Sequence, residues 1–219
     1  MRAVVLVSGG MDSLVTAATA VAAGRECAFL HVTYGQRTAA RERRAFEGIA
    51  GHYRPYRRMV ADISYLKEIG GSALTDKRIP VPTRAVDGVP ATYVPFRNAH
   101  LATIATSLAE VEGAGEIYIG ATQVDYSGYP DCRREFYDAF EKAIETGTKP
   151  ETHIRIITPV INMTKGQIVR EGLRLCAPFE LSWSCYTNSD VACGVCESCQ
   201  LRRKGFEEAG AKDPSLYTE

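Results

Sequence analysis

Residues 3–7, Ala-Val-Val-Leu-Val, are an uninterrupted apolar run, and they lead directly into Ser8-Gly9-Gly10-Met11-Asp12-Ser13. A short apolar run without polar alternation is the pattern of a strand buried on both faces, which occurs in sheets covered by helices on each side. A helix is expected from Asp12 or Ser13, because Leu14, Ala17, Ala18 and Val21 fall at i, i+3, i+4 and i+7 on one face. Gly24 is placed to end it. Residues 27–32, Cys-Ala-Phe-Leu-His-Val, read as a second buried strand. A strand, helix and strand in that order require a parallel sheet with a right-handed crossover.

The alternation continues along the chain. Residues 38–50 are helical in composition, and 57–60 read as a short third strand. Residues 64–97 hold Gly70, Gly71 and prolines 80, 82, 90 and 95, and lack a clear period. An irregular stretch of this length is more often functional than filler. Leu101, Ile104, Ala105 and Leu108 then share a helical face. Residues 116–119 read as a strand closed by Gly120, and Phe136, Ala139, Phe140 and Ala143 mark a further helix. Residues 154–157 read as a strand, and 164–175 as a helix capped by Thr164. From Ser182 the periodicity gives way to cysteines and small polar residues, with a last helix around 201–209. The expected organisation is an α/β domain over 1–181 and a cysteine-bearing segment, 182–219, packed on it.

The 219 residues include 26 Lys+Arg and 26 Asp+Glu, so the net charge is zero. That balance argues against broad electrostatic attachment to nucleic acid or an anionic membrane. Arg41, Arg43 and Arg44 are read as a solvated helix face. No apolar stretch approaches the ~18 residues that span a bilayer, and the first seven residues are too short for a signal peptide. A cytoplasmic location is expected, where the seven cysteines would be reduced thiols or metal ligands.

The loop after the first strand suits a pyrophosphate. Helix N-termini leave N–H groups unpaired and carry partial positive charge, and paired glycines let the backbone approach an anion closely. Ser8 and Ser13 add hydroxyl donors, and Asp12 can hold Mg²⁺ or cap the helix. The loop is not a Walker A sequence, which ends in Gly-Lys-Ser/Thr. It resembles the SGGxDS signature of the N-type ATP pyrophosphatases. That resemblance implies a Rossmann-like parallel sheet, release of AMP and pyrophosphate, and ATP bound by Ser8, Gly9, Gly10, Met11, Asp12, Ser13 and Leu14.

Cys193, Cys196 and Cys199 form Cys-x-x-Cys-x-x-Cys, with Cys185 eight residues upstream. Four soft thiolates without a nearby histidine suit tetrahedral Zn²⁺, and with no open coordination position the zinc is expected to be structural. An iron–sulfur cluster also accepts four thiolates. Cys27 and Cys176 read as small core residues.

Further segments resemble the 7-cyano-7-deazaguanine synthases across nearly the whole chain. They are Tyr34-Gly35-Gln36-Arg37, Tyr93-Val94-Pro95-Phe96-Arg97-Asn98, and Asp125-Tyr126-Ser127-Gly128-Tyr129-Pro130-Asp131-Cys132-Arg133. Thr164-Lys165, Ser184-Cys185-Tyr186 and the cysteine tail ending in Leu201-Arg202 complete the set. Phe96 departs from the pattern, since many members have glycine there. The resemblance implies that ATP adenylates the carboxylate of 7-carboxy-7-deazaguanine, that ammonia displaces AMP, and that a second adenylation of the amide allows elimination to the nitrile. Asp131, Arg133, Arg97 and Lys165 are then the expected catalytic residues. Asp125, Tyr126, Tyr129 and Asn98 are expected to bind substrate, and Cys185, Cys193, Cys196 and Cys199 to hold zinc. Cys132 reads as a packing or substrate contact. Partners would be a small-molecule substrate and free ammonia, with no stable nucleic acid or membrane, in a homodimer. Two alternatives stand beside this: a tRNA-thiolating or lysidine-type enzyme of the same superfamily, and a zinc-ribbon interaction module with a degenerate loop.

Overall fold

The computed structural model describes residues 1–83, 88–124 and 128–218. Five strands form one parallel sheet: β1 (Arg2–Leu6), β2 (Glu26–Thr33), β3 (Arg57–Asp62), β4 (Glu116–Tyr118) and β5 (Arg155–Ile157), in the order β3-β2-β1-β4-β5. The chain therefore winds outward from β1 in one direction, then returns to lay β4 on the other side of β1. Ligands of open α/β sheets bind at this reversal, beyond the carboxyl ends of the strands.

Each strand's side chains alternate between two cores. Val4, Leu6, Leu30 and Ile117 belong to one, and Val5, Val7, Phe29 and Tyr118 to the other. The first core takes in Ala102, Ala105 and Leu108 of α4 (Arg97–Glu112) and Tyr137 and Ile144 of α5 (Arg134–Gly147). The second takes in Leu14 and Ala18 of α1 (Met11–Ala22), Phe46 and Ile49 of α2 (Ala39–Tyr53), and Ile168 and Val169 of α6 (Lys165–Arg174). Full burial on both faces is why β1 carries no polar alternation. Each such Val or Leu contributes ~1.5–3 kcal/mol.

Two elements depart from the sequence expectation. A one-turn α3 (Leu66–Ile69) lies in the stretch read as irregular, and α7 (Glu197–Glu208) starts four residues before the expected 201. Cys196 is the N-cap of α7, so the cysteine spacing winds onto a helix rather than preceding one. Cys27 is buried as expected, but Cys176 is exposed. Cys176 has φ +53° just past α6, where Ala177 N–H reaches Gly172 O (2.8 Å) and Cys176 N–H reaches Leu173 O (3.0 Å). That is a Schellman end, which turns the side chain at this position outward. No helix among the described residues is long and apolar enough to cross a membrane.

Candidate active site

The turn after β1 is held from several sides. Gly9 has φ +94°, and a Cβ there would lie 2.6 Å from the Glu42 carbonyl oxygen, so no larger residue fits. The Gly9 carbonyl accepts from Trp183 N–H (2.8 Å). Ser8 Oγ accepts from Gly10 N–H (3.3 Å) and donates to Ser13 Oγ (3.0 Å), and Ser13 Oγ donates to Gly10 O (2.9 Å). α1 then begins with no side-chain cap, which leaves first-turn N–H groups to a ligand. Gly120, just past β4, closes against this turn. Beneath it, His31 is fully buried, stacks on Phe46 and bonds the Val7 carbonyl through Nδ1 (3.0 Å).

A cavity of about 290 Å³ opens here. Ser8, Gly10, Met11, Asp12 and Ser13 line it, as expected for the loop, whereas Gly9 and Leu14 do not. Leu14 is fully buried in the core, where helical spacing puts it. Lys165, the first residue of α6, bonds Asp12 Oδ2 through Nζ at 2.6 Å. Its position is fixed by a capping box, in which Gln167 N–H donates to Thr164 Oγ1 (3.3 Å) and Thr164 N–H to Gln167 Oε1 (2.8 Å). Asp12 Oδ1 is buried and has no protein partner.

α4 supplies the next wall. Arg97 Nη1 donates to Tyr34 OH (3.0 Å), and the guanidinium stands 4.9 Å from the Tyr34 ring centroid. Its Nε is buried without a partner. Burial pushes the Tyr34 phenol up to about 12. Tyr129 also lines the cavity and donates to Thr92 Oγ1 (2.8 Å). Asn98 and Cys132 line it too, with Asn98 Nδ2 donating to Cys132 Sγ (3.1 Å) and Asp131 O (3.2 Å).

Asp131 and Arg133 do not line the cavity. Asp131 is 2 % exposed, and its Oδ2 accepts from Asn98 N–H (2.9 Å). Phe96, the N-cap of α4, offers no side-chain acceptor, so Asp131 caps that helix from a distant segment. Arg133 is exposed and lies 3.4 Å from Glu135. The expectations for Asp125 and Tyr126 lie outside the described residues.

Cys185, Cys193, Cys196 and Cys199 converge with all four sulfurs within 4.8 Å of one another, Cys193 and Cys199 at 3.9 Å. Thiolates ~2.3 Å from one tetrahedral ion stand roughly 3.8 Å apart, so the set fits Zn²⁺. Backbone N–H groups aim at the sulfurs as well: Asn188 and Cys193 at Cys185 Sγ (3.3 and 3.4 Å), and Cys196 at Cys193 Sγ (3.3 Å). Such outer contacts orient metal ligands. The cysteine segment packs Trp183 and Ala192 against Ala45 of α2, and Trp183, Ser184, Cys185, Tyr186, Glu197, Ser198 and Leu201 form a wall of the cavity. Sequence reasoning missed Trp183, Tyr186 and Glu197 as site residues, because their neighbours read as metal spacers. The available signal was a carboxylate inside a cysteine turn, where a metal site alone requires none.

A parallel sheet in this order, with an SGGxDS loop at its reversal point, defines the ATP-pyrophosphatase type of α/β fold. Among solved structures, a 4-thiouridine synthetase in complex with RNA and bound ATP is similar over 95% of this chain and 50% of that one (TM-score 0.55, 17% identity). The NMN synthetase of Francisella tularensis is similar over 96% and 77% (TM-score 0.51, 15% identity). The family model described as "Queuosine biosynthesis protein QueC" matches residues 2–210. Relatives named 7-cyano-7-deazaguanine synthase, from Chlorobium phaeobacteroides (strain DSM 266) and Chlorobium chlorochromatii (strain CaD3), are 56% and 54% identical. They align over 100% and 99% of this chain and 98% and 96% of their own lengths. The chain belongs to the QueC family.

Proposed function

We propose that this protein is an ATP-dependent ligase that makes 7-cyano-7-deazaguanine from 7-carboxy-7-deazaguanine and ammonia. The observation that carries the reading is one cavity in which the SGGxDS loop, Lys165 and Arg97 meet an aromatic, partly apolar chamber, in a chain similar to these synthases from end to end. The free N–H groups of α1, Ser8 and Ser13 receive the departing pyrophosphate, with Lys165 as counter-charge. Arg97, held against Tyr34, has donors for the substrate carboxylate or the α-phosphate. Asp131 acts through Asn98 and Cys132, setting the start of α4, rather than by touching substrate. Asp12 Oδ1 would hold Mg²⁺, which when bound neutralises phosphate charge.

The substrate carboxylate attacks the α-phosphate and expels pyrophosphate. Ammonia then displaces AMP to give the amide. The amide oxygen is adenylated in turn, and loss of AMP and a proton leaves the nitrile. None of these steps needs a thiolate. Burial pushes the Cys132 thiol up to about 11, which speaks against a sulfur-carrying thiolase. The intact loop geometry speaks against a zinc ribbon with a degenerate loop. Free ammonia as nitrogen source, a homodimer and a cytoplasmic location complete the proposal.

The test is incubation of the purified protein with MgATP, ammonium and 7-carboxy-7-deazaguanine, with products read by mass spectrometry. The nitrile together with AMP is expected. Absence of base turnover by zinc-loaded, folded protein would overturn the substrate assignment.

A further inference from the structure

Among the described residues, Asp12, Glu42 and Glu197 are the carboxylates that line the cavity. Asp12 is engaged by Lys165 at the phosphate loop. Glu42 accepts from Gln36 Nε2 (2.9 Å) and Thr38 Oγ1 (2.6 Å), which ties it into the wall. Glu197 differs. Its Oε1 is buried and accepts no hydrogen bond, although a buried, unpaired acceptor is costly, and more so when charged. It is the first residue of α7, where the helix dipole favours a carboxylate. Such a role would be served equally by a solvated side chain, and it leaves the burial of Oε1 unexplained.

The surroundings of Glu197 say what would satisfy it. Tyr129 and Tyr186 line the same cavity. Flat aromatic groups around one unpaired carboxylate suit a planar ring with two adjacent N–H donors, because a carboxylate accepts two parallel hydrogen bonds. A 2-amino-4-oxopyrimidine ring offers its ring N–H and exocyclic amino group side by side in that way. Adenine pairs an acceptor with its amino group and does not. The flanking ligands Cys196 and Cys199 fix the turn that carries Glu197, so the metal lobe presents a preorganised acceptor.

We propose that Glu197 is the specificity-determining residue for the base, accepting from the ring N–H and exocyclic amino group of its pyrimidine edge; this rests on the synthase reading. The experiment compares kcat/KM for 7-carboxy-7-deazaguanine and for its analogue lacking the 2-amino group, in wild type, Glu197→Gln and Glu197→Ala, each checked for zinc content. Wild type is expected to prefer the amino-bearing base by about ten- to a hundredfold. In both variants the preference should collapse to within about threefold as KM for that base rises, with KM for ATP unmoved. An unchanged preference in zinc-replete variants would overturn the proposal. If the variants lose zinc, titration calorimetry of wild type with the two bases decides it, and equal affinities would overturn it. Wild-type turnover without discrimination sinks the role of Glu197 alone, whereas no turnover sinks the synthase reading and this proposal with it.

Discussion

Gly120 sets a tight tolerance in the site. A Cβ at this position would lie 2.9 Å from the carbonyl carbon and oxygen of Asp12 and from Ser13 Cα, all backbone atoms that cannot rotate away. Gly120→Ala must therefore push β4 and the phosphate loop apart. Overpacking of this kind costs ~1–3 kcal/mol of stability, but displacement of a reacting group by about 1 Å can cost on the order of a hundredfold in rate. Base-dependent AMP formation should fall by that order while the variant stays folded by circular dichroism; a wild-type rate would mean that the loop is not held by this contact. The sequence marked Gly120 as the end of a strand, yet its close approach to Asp12 joins residues far apart in the chain and has no local signature. Phe96 shows the opposite case. The resemblance marked it as standing where many relatives have glycine, and its φ of +57° supplies the reason: a left-handed residue other than glycine costs ~1–2 kcal/mol. Phe96 offsets part of that through an edge contact with Phe136, centroids 6.0 Å apart.

Among the elements, those that repeat a period were readable and those fixed by distant partners were not. β1, α1 and β2 follow from burial patterns contained in a few residues each. The cap of α4 instead comes from Asp131, more than thirty residues downstream of Asn98, and the first turn of α7 was hidden because it doubles as a cysteine turn. That doubling has a measurable consequence. Trp183 is the single tryptophan; it is 7 % exposed, donates to Cys185 O (3.1 Å) and lies under the Arg41 guanidinium at 4.2 Å. The same residue's N–H holds the Gly9 carbonyl. Metal loss should therefore expose the indole and loosen the phosphate loop together, as binding of a structural metal is coupled to folding of its lobe. Chelation is expected to shift tryptophan emission to the red, with loss of about one zinc per chain and of AMP formation over the same time course. Emission and activity that persist after zinc has left would separate the cysteine lobe from the site.

For the molecule as a whole, the fold is shared with a 4-thiouridine synthetase that was solved with RNA, so topology does not decide between a small base and a tRNA as acceptor. Charge bears on it more directly. A protein that grips a nucleic-acid backbone releases counterions, and its affinity falls steeply with salt. With 26 basic and 26 acidic residues, this chain has no net positive field to drive that exchange. Among the described residues, the basic side chains that line the cavity are engaged within it, Lys165 by Asp12 and Arg97 by Tyr34. The cavity, at about 290 Å³, is matched to small molecules, for which pockets run upward from ~300 Å³. Unmodified tRNA, followed by fluorescence anisotropy at about 0.15 M salt, should bind no more tightly than the ~1–100 µM of non-specific association. Adding it should leave the rate of AMP formation with 7-carboxy-7-deazaguanine unchanged. Sub-micromolar binding with a steep salt dependence, together with tRNA-stimulated AMP formation in the absence of the free base, would move the acceptor from the base to the RNA.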